Sequence, residues 1–353
     1  MQHRDPQTLS EADIAACRAI IREGSKSFHA ASILLPKKVR ASAMALYSFC
    51  RLSDDMVDEG EDRHAAITDL RCRLDLAYAG RPANHVADRG FAAVVHQYDI
   101  PRAVPEALIE GYEWDIAGRI YEDIDDLIAY ATRVAATVGV MMTIIMGRRE
   151  PHVLARASDL GVAMQLTNIA RDVGEDARQG RIYLPRAWLR DAGVDVDVLI
   201  ENPAFTPALG SVVKRLLGEA DVLYHRGFTG LRDLPVNCRS AIRAAGLVYR
   251  EIGREVARNG YDSVTQRAVT TRRCKLRLCL RALMEPTWLA ICDMRPPLPE
   301  TQFLVDATAE ASERMTPVLG TLDRRMGQLA LLLGSLEERD RVPYGKRVRP
   351  GEM

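Results

Sequence analysis

This chain of 353 residues carries no net charge, because its 48 Lys+Arg and 48 Asp+Glu cancel, so no overall field draws it to nucleic acid or to a strongly acidic partner. Any electrostatic function must be local. Its seven cysteines (17, 50, 72, 238, 274, 279 and 292) are odd in number, scattered and never spaced as C-x-x-C. That argues against both a disulfide framework and a zinc site, and it fits a reducing cytosol. The longest apolar run, Val134 to Met146, has 13 residues, below the ~18 that a membrane-spanning helix needs. The opening "MQHRDPQTLSEAD" has no apolar core of the kind a secretory signal requires. No G-x-G-x-x-G loop is present, so no nicotinamide cofactor is expected. Sustained polar/apolar alternation is missing too, which removes the signal for half-buried strands.

What is present is helical periodicity with clear punctuation. Ser10 followed by Asp13 opens a helix that should stop at Gly24. A second helix should start after Pro36, since Val39, Ala43, Leu46, Tyr47 and Cys50 recur at three- and four-residue intervals. Further helices are expected at 62–79, 103–121, 124–147, 151–178, 207–227, 237–259 and 271–284. The fold class is therefore all-α. No linker, repeat or low-complexity block divides residues 10–285, which predicts one helical domain. Residues 286–353 form an extension in which the proline-rich "MRPPLPETQF" precedes a helix expected at 303–338 and a basic tail expected to be mobile.

Two acidic clusters stand out. "RLSDDMVDE" (51–59) places Asp54 and Asp58 on one helical face at i, i+4, with Asp55 roughly a quarter-turn away. Two carboxylates ~5–6 Å apart repel by ~2–3 kcal/mol at an effective dielectric near 20, so they must be solvated, protonated or bridged by a cation. "NIARDVGED" places Asn168, Asp172 and Asp176 at i, i+4, i+8 along one stripe, with Arg171 beside it. These are hard oxygen donors of the kind Mg²⁺ shares with substrate phosphates, and neither cluster holds the His or Cys that zinc favours. Two such stripes facing each other across a cavity would hold divalent cations and, through them, a diphosphate leaving group.

The ordered motifs "GSKSF" (24–28), "YSFCR" (47–51), D-D-x-x-D (54–58), "YATRVAATVG" (130–139) and N-x-x-R-D-x-x-x-D (168–176) resemble the squalene/phytoene synthase family. Within it, the similarity is greatest to the bacterial enzymes that make phytoene for carotenoids, and it spans about residues 14–285. The resemblance implies a single-domain isoprenoid-synthase helical bundle around a central apolar cavity. It also implies a prenyltransferase that joins two geranylgeranyl diphosphates head to head, through prephytoene diphosphate, to 15-cis-phytoene. Carried over position by position, Asp54 and Asp58 match the first metal-binding motif, and Asn168, Asp172 and Asp176 the second, with Mg²⁺ the expected ion and Mn²⁺ its alternative. Arg51, Arg171 and Arg267 match diphosphate-contacting arginines. Ser25, Lys26, Ser27 and Phe28 match a flap-like substrate segment. Tyr47, Tyr130 and Tyr249 match pocket tyrosines, and Gln165 a polar pocket position. Ala136 stands where many relatives have Gly.

Alternatives remain open at this level. A squalene or dehydrosqualene synthase using farnesyl diphosphate shares these motifs. A class I terpene cyclase would carry Ser or Thr at the middle position of the second motif and Glu at the last. A head-to-tail prenyltransferase would repeat D-D-x-x-D, and a non-catalytic relative should have lost acids. His29 is a lone histidine whose plain reading is a satisfied polar residue. Ala135, Ala136 and Gly139 permit close helix packing and leave room for a prenyl chain. The run "QRAVTTRRCKLRLCLRAL" reads first as a solvated amphipathic helix, and second as a face for anionic lipid that would receive a water-insoluble product. The localisation expected is cytoplasmic, with peripheral membrane association.

Overall fold

The computed structural model describes residues 9–59, 62–284 and 291–314, apart from the side chains of Lys26, Ser27, Asp58, Glu59 and residues 312–314. Ser10 caps the first helix, α1 (Glu11–Gly24), by accepting from Asp13 N at 3.1 Å. Ser25 does the same for α2 (Lys26–Ser32), accepting from Phe28 N at 3.2 Å, so the chain turns sharply between them. Pro36 releases α3 (Lys37–Glu59), and α4 (Arg63–Tyr78), α5 (Val86–Tyr98) and α6 (Ala103–Ile116) follow. Next come α7 (Ile124–Ala131) and α8 (Thr137–Ile145), joined by a π-turn over Thr132–Ala136 into one bent rod. α9 (Pro151–Arg178) begins with proline at its first position and, at 28 residues, is the longest helix among the described residues. The remainder are α10 (Arg186–Asp191), α11 (Val196–Glu201), α12 (Pro207–Thr229), α13 (Val236–Arg258), α14 (Arg272–Met284) and α15 (Gln302–Arg314). No strand occurs among the described residues.

α9 is the central post, packed against α8, α12, α13 and the π-turn, while α3 packs against α1 and α5. One large apolar cluster drawn from most of these helices forms the core. Gly161 on α9 lets the π-turn approach, because a Cβ there would lie 2.8 Å from Ala136 Cα and 2.9 Å from Ala135 O. The rod 124–145 is long and apolar enough to cross a membrane by composition alone, although its longest unbroken apolar run is shorter. With 61% of its most apolar 18 residues buried, its packing against α6 and α9 accounts for its character.

Several expected spans needed adjustment. The expected helix at 103–121 ends at Ile116, where Gly118 takes a positive φ of 59°. α2, α5, α10 and α11 were not anticipated. The compact unit runs through Ala311, with Leu304 and Val305 of α15 in the core. The rest of the helix expected at 303–338, and the basic tail, lie outside the described residues.

Candidate active site

Two cavities meet inside the bundle. The first, about 310 Å³, is apolar and is walled by α2, α3, the π-turn with α8, α9 and α13, with Phe28, Leu46, Val138, Met164 and Ile242 among its lining. The second, about 160 Å³, is polar and contains Asp54, Asp115, Asn168, Asp172 and Asp176. Gln165 and Asn168 line both, so one turn of α9 is the threshold between hydrocarbon-like and charged surroundings.

Asp54 of α3 therefore shares a pocket with all three members of the second stripe on α9. The side chain of Asp58 lies outside the described residues, although its backbone continues α3. Arg51 grips Asp55, with Nε at 3.1 Å and Nη2 at 2.5 Å from the two carboxylate oxygens, and also reaches Asp54 at 3.5 Å. Asp55 thus holds the arginine beside the pocket without lining it. Arg171 forms a two-pronged pair with Asp172, and Arg267 Nε lies 2.9 Å from the same carboxylate and 3.3 Å from Glu175. Arg267 arrives on the segment 263–267, which Gly174 admits: a Cβ on Gly174 would lie 2.5 Å from Val264 Cα, and Gly174 N donates to Ser263 O at 3.0 Å.

These contacts divide the acids. Burial raises the Asp172 carboxyl, but hydrogen bonds and charge from Arg171 and Arg267 overcome it and leave it below the usual carboxylate range. Asp176 has weaker cover, with the charge of Arg181 too small an offset. Burial, then the neighbouring Asp172 and Glu175, push it up to about 8. Asn168 donates to Gln165 Oε1 at 3.3 Å while its own Oδ1 is buried without a hydrogen-bond partner. An acid only partly compensated by Arg181 and an orphaned amide oxygen on one stripe fit a hard divalent cation, since a positive charge would satisfy both.

The tyrosines split between the cavities. Tyr47 and Tyr249 line the apolar one, where the Phe28 ring lies 6.1 Å from Tyr47 and 5.2 Å from Tyr249. Burial pushes the Tyr249 hydroxyl up to about 12, so it stays a neutral donor beside Arg171. Tyr130 instead lines the polar pocket and donates to Asp115 at 2.9 Å. Tyr183 donates to the other Asp115 oxygen at 2.8 Å, and the Tyr130 and Tyr183 rings stack at 5.1 Å. Ser25 caps α2, which carries Phe28 into the wall of the apolar cavity, while the side chains of Lys26 and Ser27 lie outside the described residues. Asp115, Arg181 and Tyr183 line the polar pocket but had been assigned no role from sequence. Arg181 and Tyr183 stand shortly after the second motif, in "RIYLP", which was the available signal. Asp115 sits alone in "EWD" and offered none.

The Squalene/phytoene synthase family matches residues 21–277, so the chain belongs to that family, an enzymatic one of all-α isoprenoid synthases. Its relatives include a phytoene synthase of Cereibacter sphaeroides, 48% identical over 97% of this chain and 99% of that protein. A phytoene synthase of Rhodobacter capsulatus is also 48% identical, over 92% of this chain and 99% of its own. Among solved structures, a dehydrosqualene synthase superposes with a TM-score of 0.73 at 32% identity, covering 79% of this chain and 98% of that one.

Proposed function

We propose that this protein is a 15-cis-phytoene synthase. It would condense two geranylgeranyl diphosphates head to head through prephytoene diphosphate and release two diphosphates, opening carotenoid biosynthesis. The observation that carries the reading is the junction at Gln165 and Asn168, where an apolar cavity suited to a prenyl chain meets an acidic pocket suited to its diphosphate. The near full-length similarity to two phytoene synthases supports the choice of product.

In this reading Asp54, Asp58, Asn168, Asp172 and Asp176 hold Mg²⁺, with Mn²⁺ as its substitute. Bound there, the metal would neutralise the diphosphate oxygens and make them a better leaving group. Arg51, Arg171 and Arg267 are held at the pocket by carboxylates and exchange those partners for diphosphate oxygens, which a guanidinium fork grips bidentately. Asp115 anchors Tyr130 and Tyr183 at the pocket wall. The aromatic faces of Phe28, Tyr47 and Tyr249 line the region where positive charge develops on carbon, worth ~0.5–2 kcal/mol each as cation–π attraction. The apolar lining keeps water from a carbocation. Among the described residues no histidine lines either cavity, so the released diphosphate is assigned as the base for the final proton.

Purified protein with Mg²⁺ should form phytoene from geranylgeranyl diphosphate, and Asp54→Ala or Asp172→Ala should abolish turnover while the helical signal is retained. Near-normal activity in either variant would overturn the metal assignment. The likeness to a dehydrosqualene synthase supports a second reading with farnesyl diphosphate, and activity on that donor alone would replace the first.

The same proposal places the enzyme in the cytoplasm, peripherally attached to a membrane. Residues 10–285 are proposed as the catalytic domain and 286–353 as an extension to it. α14 exposes Leu276, Leu280, Leu283 and Met284 together with Arg272, Arg273, Arg277 and Arg281. It packs on α13, whose Ala241, Ile242 and Ala245 line the apolar cavity from the other side. Exposed leucines interleaved with arginines suit an anionic bilayer, which would take up the insoluble product. Vesicles of phosphatidylglycerol should sediment the protein and those of phosphatidylcholine should not. The double variant Leu276→Glu, Leu280→Glu should stay in solution, and undiminished sedimentation would refute the assignment.

A further inference from the structure

Away from the acidic pocket, three side chains from three separate segments converge. His152 lies in the first turn of α9, Asp233 ends the short 3₁₀ turn after α12, and Cys292 lies in the stretch preceding α15. One ligand atom of each falls within 4.8 Å of the other two, and His152 Nε2 is 3.8 Å from Asp233 Oδ2. That Asp233 oxygen is buried and makes no hydrogen bond. Orphaned carboxylate oxygens are rare in folded proteins because nothing replaces their lost hydration.

We propose that His152, Asp233 and Cys292 bind one Zn²⁺-class cation, at a site separate from the one that serves the diphosphate. An ion at the centre of a triangle with sides of at most 4.8 Å lies no more than about 2.8 Å from each corner. Zinc distances of ~2.0–2.3 Å then require each side chain to move by less than ~1 Å. An imidazole nitrogen, a carboxylate oxygen and a thiolate sulfur form the mixed donor set that zinc accepts, with water in the fourth position. Magnesium prefers oxygen alone, so the two sites sort two metals by donor type. Burial and the Asp233 carboxylate push the Cys292 thiol up to about 11 in the metal-free protein, and binding therefore expels a proton from it. Arg232 Nε, 3.8 Å from Asp233 Oδ1, opposes a cation, and Arg156 does so too. The carboxylate and thiolate charges offset them.

The position of the site gives it a consequence. Asp293, next to Cys292, holds Arg156 through its carbonyl at 2.6 Å and its carboxylate at 3.1 Å. Arg156 is 1% exposed and lines the apolar cavity. A cation on Cys292 thus clips the segment 291–296, which lies beyond the family match ending at 277, behind the cavity wall.

Metal-free full-length protein titrated with Co²⁺, the spectroscopic stand-in for zinc, should develop a thiolate-to-cobalt band in the near-ultraviolet. The band should saturate at one equivalent and be displaced by Zn²⁺. C292S should lose the band and bind one Zn²⁺ fewer by elemental analysis, and H152A should bind Co²⁺ ~10–100-fold more weakly at this site. Co²⁺ in the acidic pocket produces no thiolate band, so the two sites are read separately. C292S should keep its melting temperature in chelator and its Mg²⁺-dependent turnover. The absence of a band in the unaltered protein, or an undiminished band in C292S, would overturn the proposal.

Discussion

Asp176→Asn tests whether the second stripe is a charge trap waiting for a cation. The carboxyl is pushed from 3.8 up to about 8. Between those values the metal-free native state keeps a proton that the unfolded chain releases. Stability due to this group therefore falls as pH rises, by about 1.4 kcal/mol per unit, and levels off above about pH 8. At pH 7 full linkage amounts to about 4 kcal/mol, and residual solvent access at Asp176 brings the expectation to about 2–4 kcal/mol. Asparagine keeps the shape and carries no charge, so D176N escapes this penalty. For roughly 300 ordered residues the gain corresponds to a melting temperature about 3–6 °C higher. Asp172 does not confuse the test. Its carboxyl lies below 3.8, so its contribution is present above that value and is lost only as pH falls through the more acidic range. Thermal melts in EDTA at about pH 5 and about pH 8 should show a gap that opens with pH. Added Mg²⁺ should stabilise the unaltered protein more than the variant, and the variant should be catalytically dead. A D176N protein no more stable than its parent at the higher pH, or a gap independent of pH, would refute the reasoning.

Gly174→Ala should push the 263–267 segment away from α9, costing about 1–3 kcal/mol and lowering kcat/KM about tenfold as Arg267 loses Asp172. Denaturant melts and steady-state kinetics measure both, and an unchanged kcat/KM would separate Arg267 from catalysis. Asp88→Ala should cost about 3–5 kcal/mol in a urea titration, because it strands Arg73, 14% exposed, beside a site where Asp88 is fully buried. A loss under about 1 kcal/mol would mean that water replaces the carboxylate there.

How far the sequence could be read depended on whether a feature announced itself locally. α1, α3 and α9 carry caps, prolines and apolar stripes within their own spans, so their existence follows from spacing. α5 is harder to read: Ala87 to Val95 is buried nearly throughout, Asp88 included, so burial there does not follow the polar and apolar residues of the sequence. α2 is seven residues long, less than two turns beyond its cap. The same distinction governs the site. Asn168, Asp172 and Asp176 form a pattern on one helix, whereas Asp115 becomes meaningful only when α6 brings it against Tyr130 and Tyr183. Spacing also misjudged what the arginines do in isolation. Arg51 and Arg171 follow from sequence as phosphate contacts, yet in the folded chain each is held by an acid one or four residues away. Those pairs keep further cations at the rim of a cavity whose lining is otherwise four acids set against Arg181. In the proposed function, a diphosphate entering with its metal would supply the arginines with a stronger anion while the metal took the carboxylates. Substrate binding in the proposed function would then be an exchange of ion-pair partners for Arg51 and Arg171, while Asp176, pushed up to about 8 by burial and its acidic neighbours, would exchange a proton for a cation.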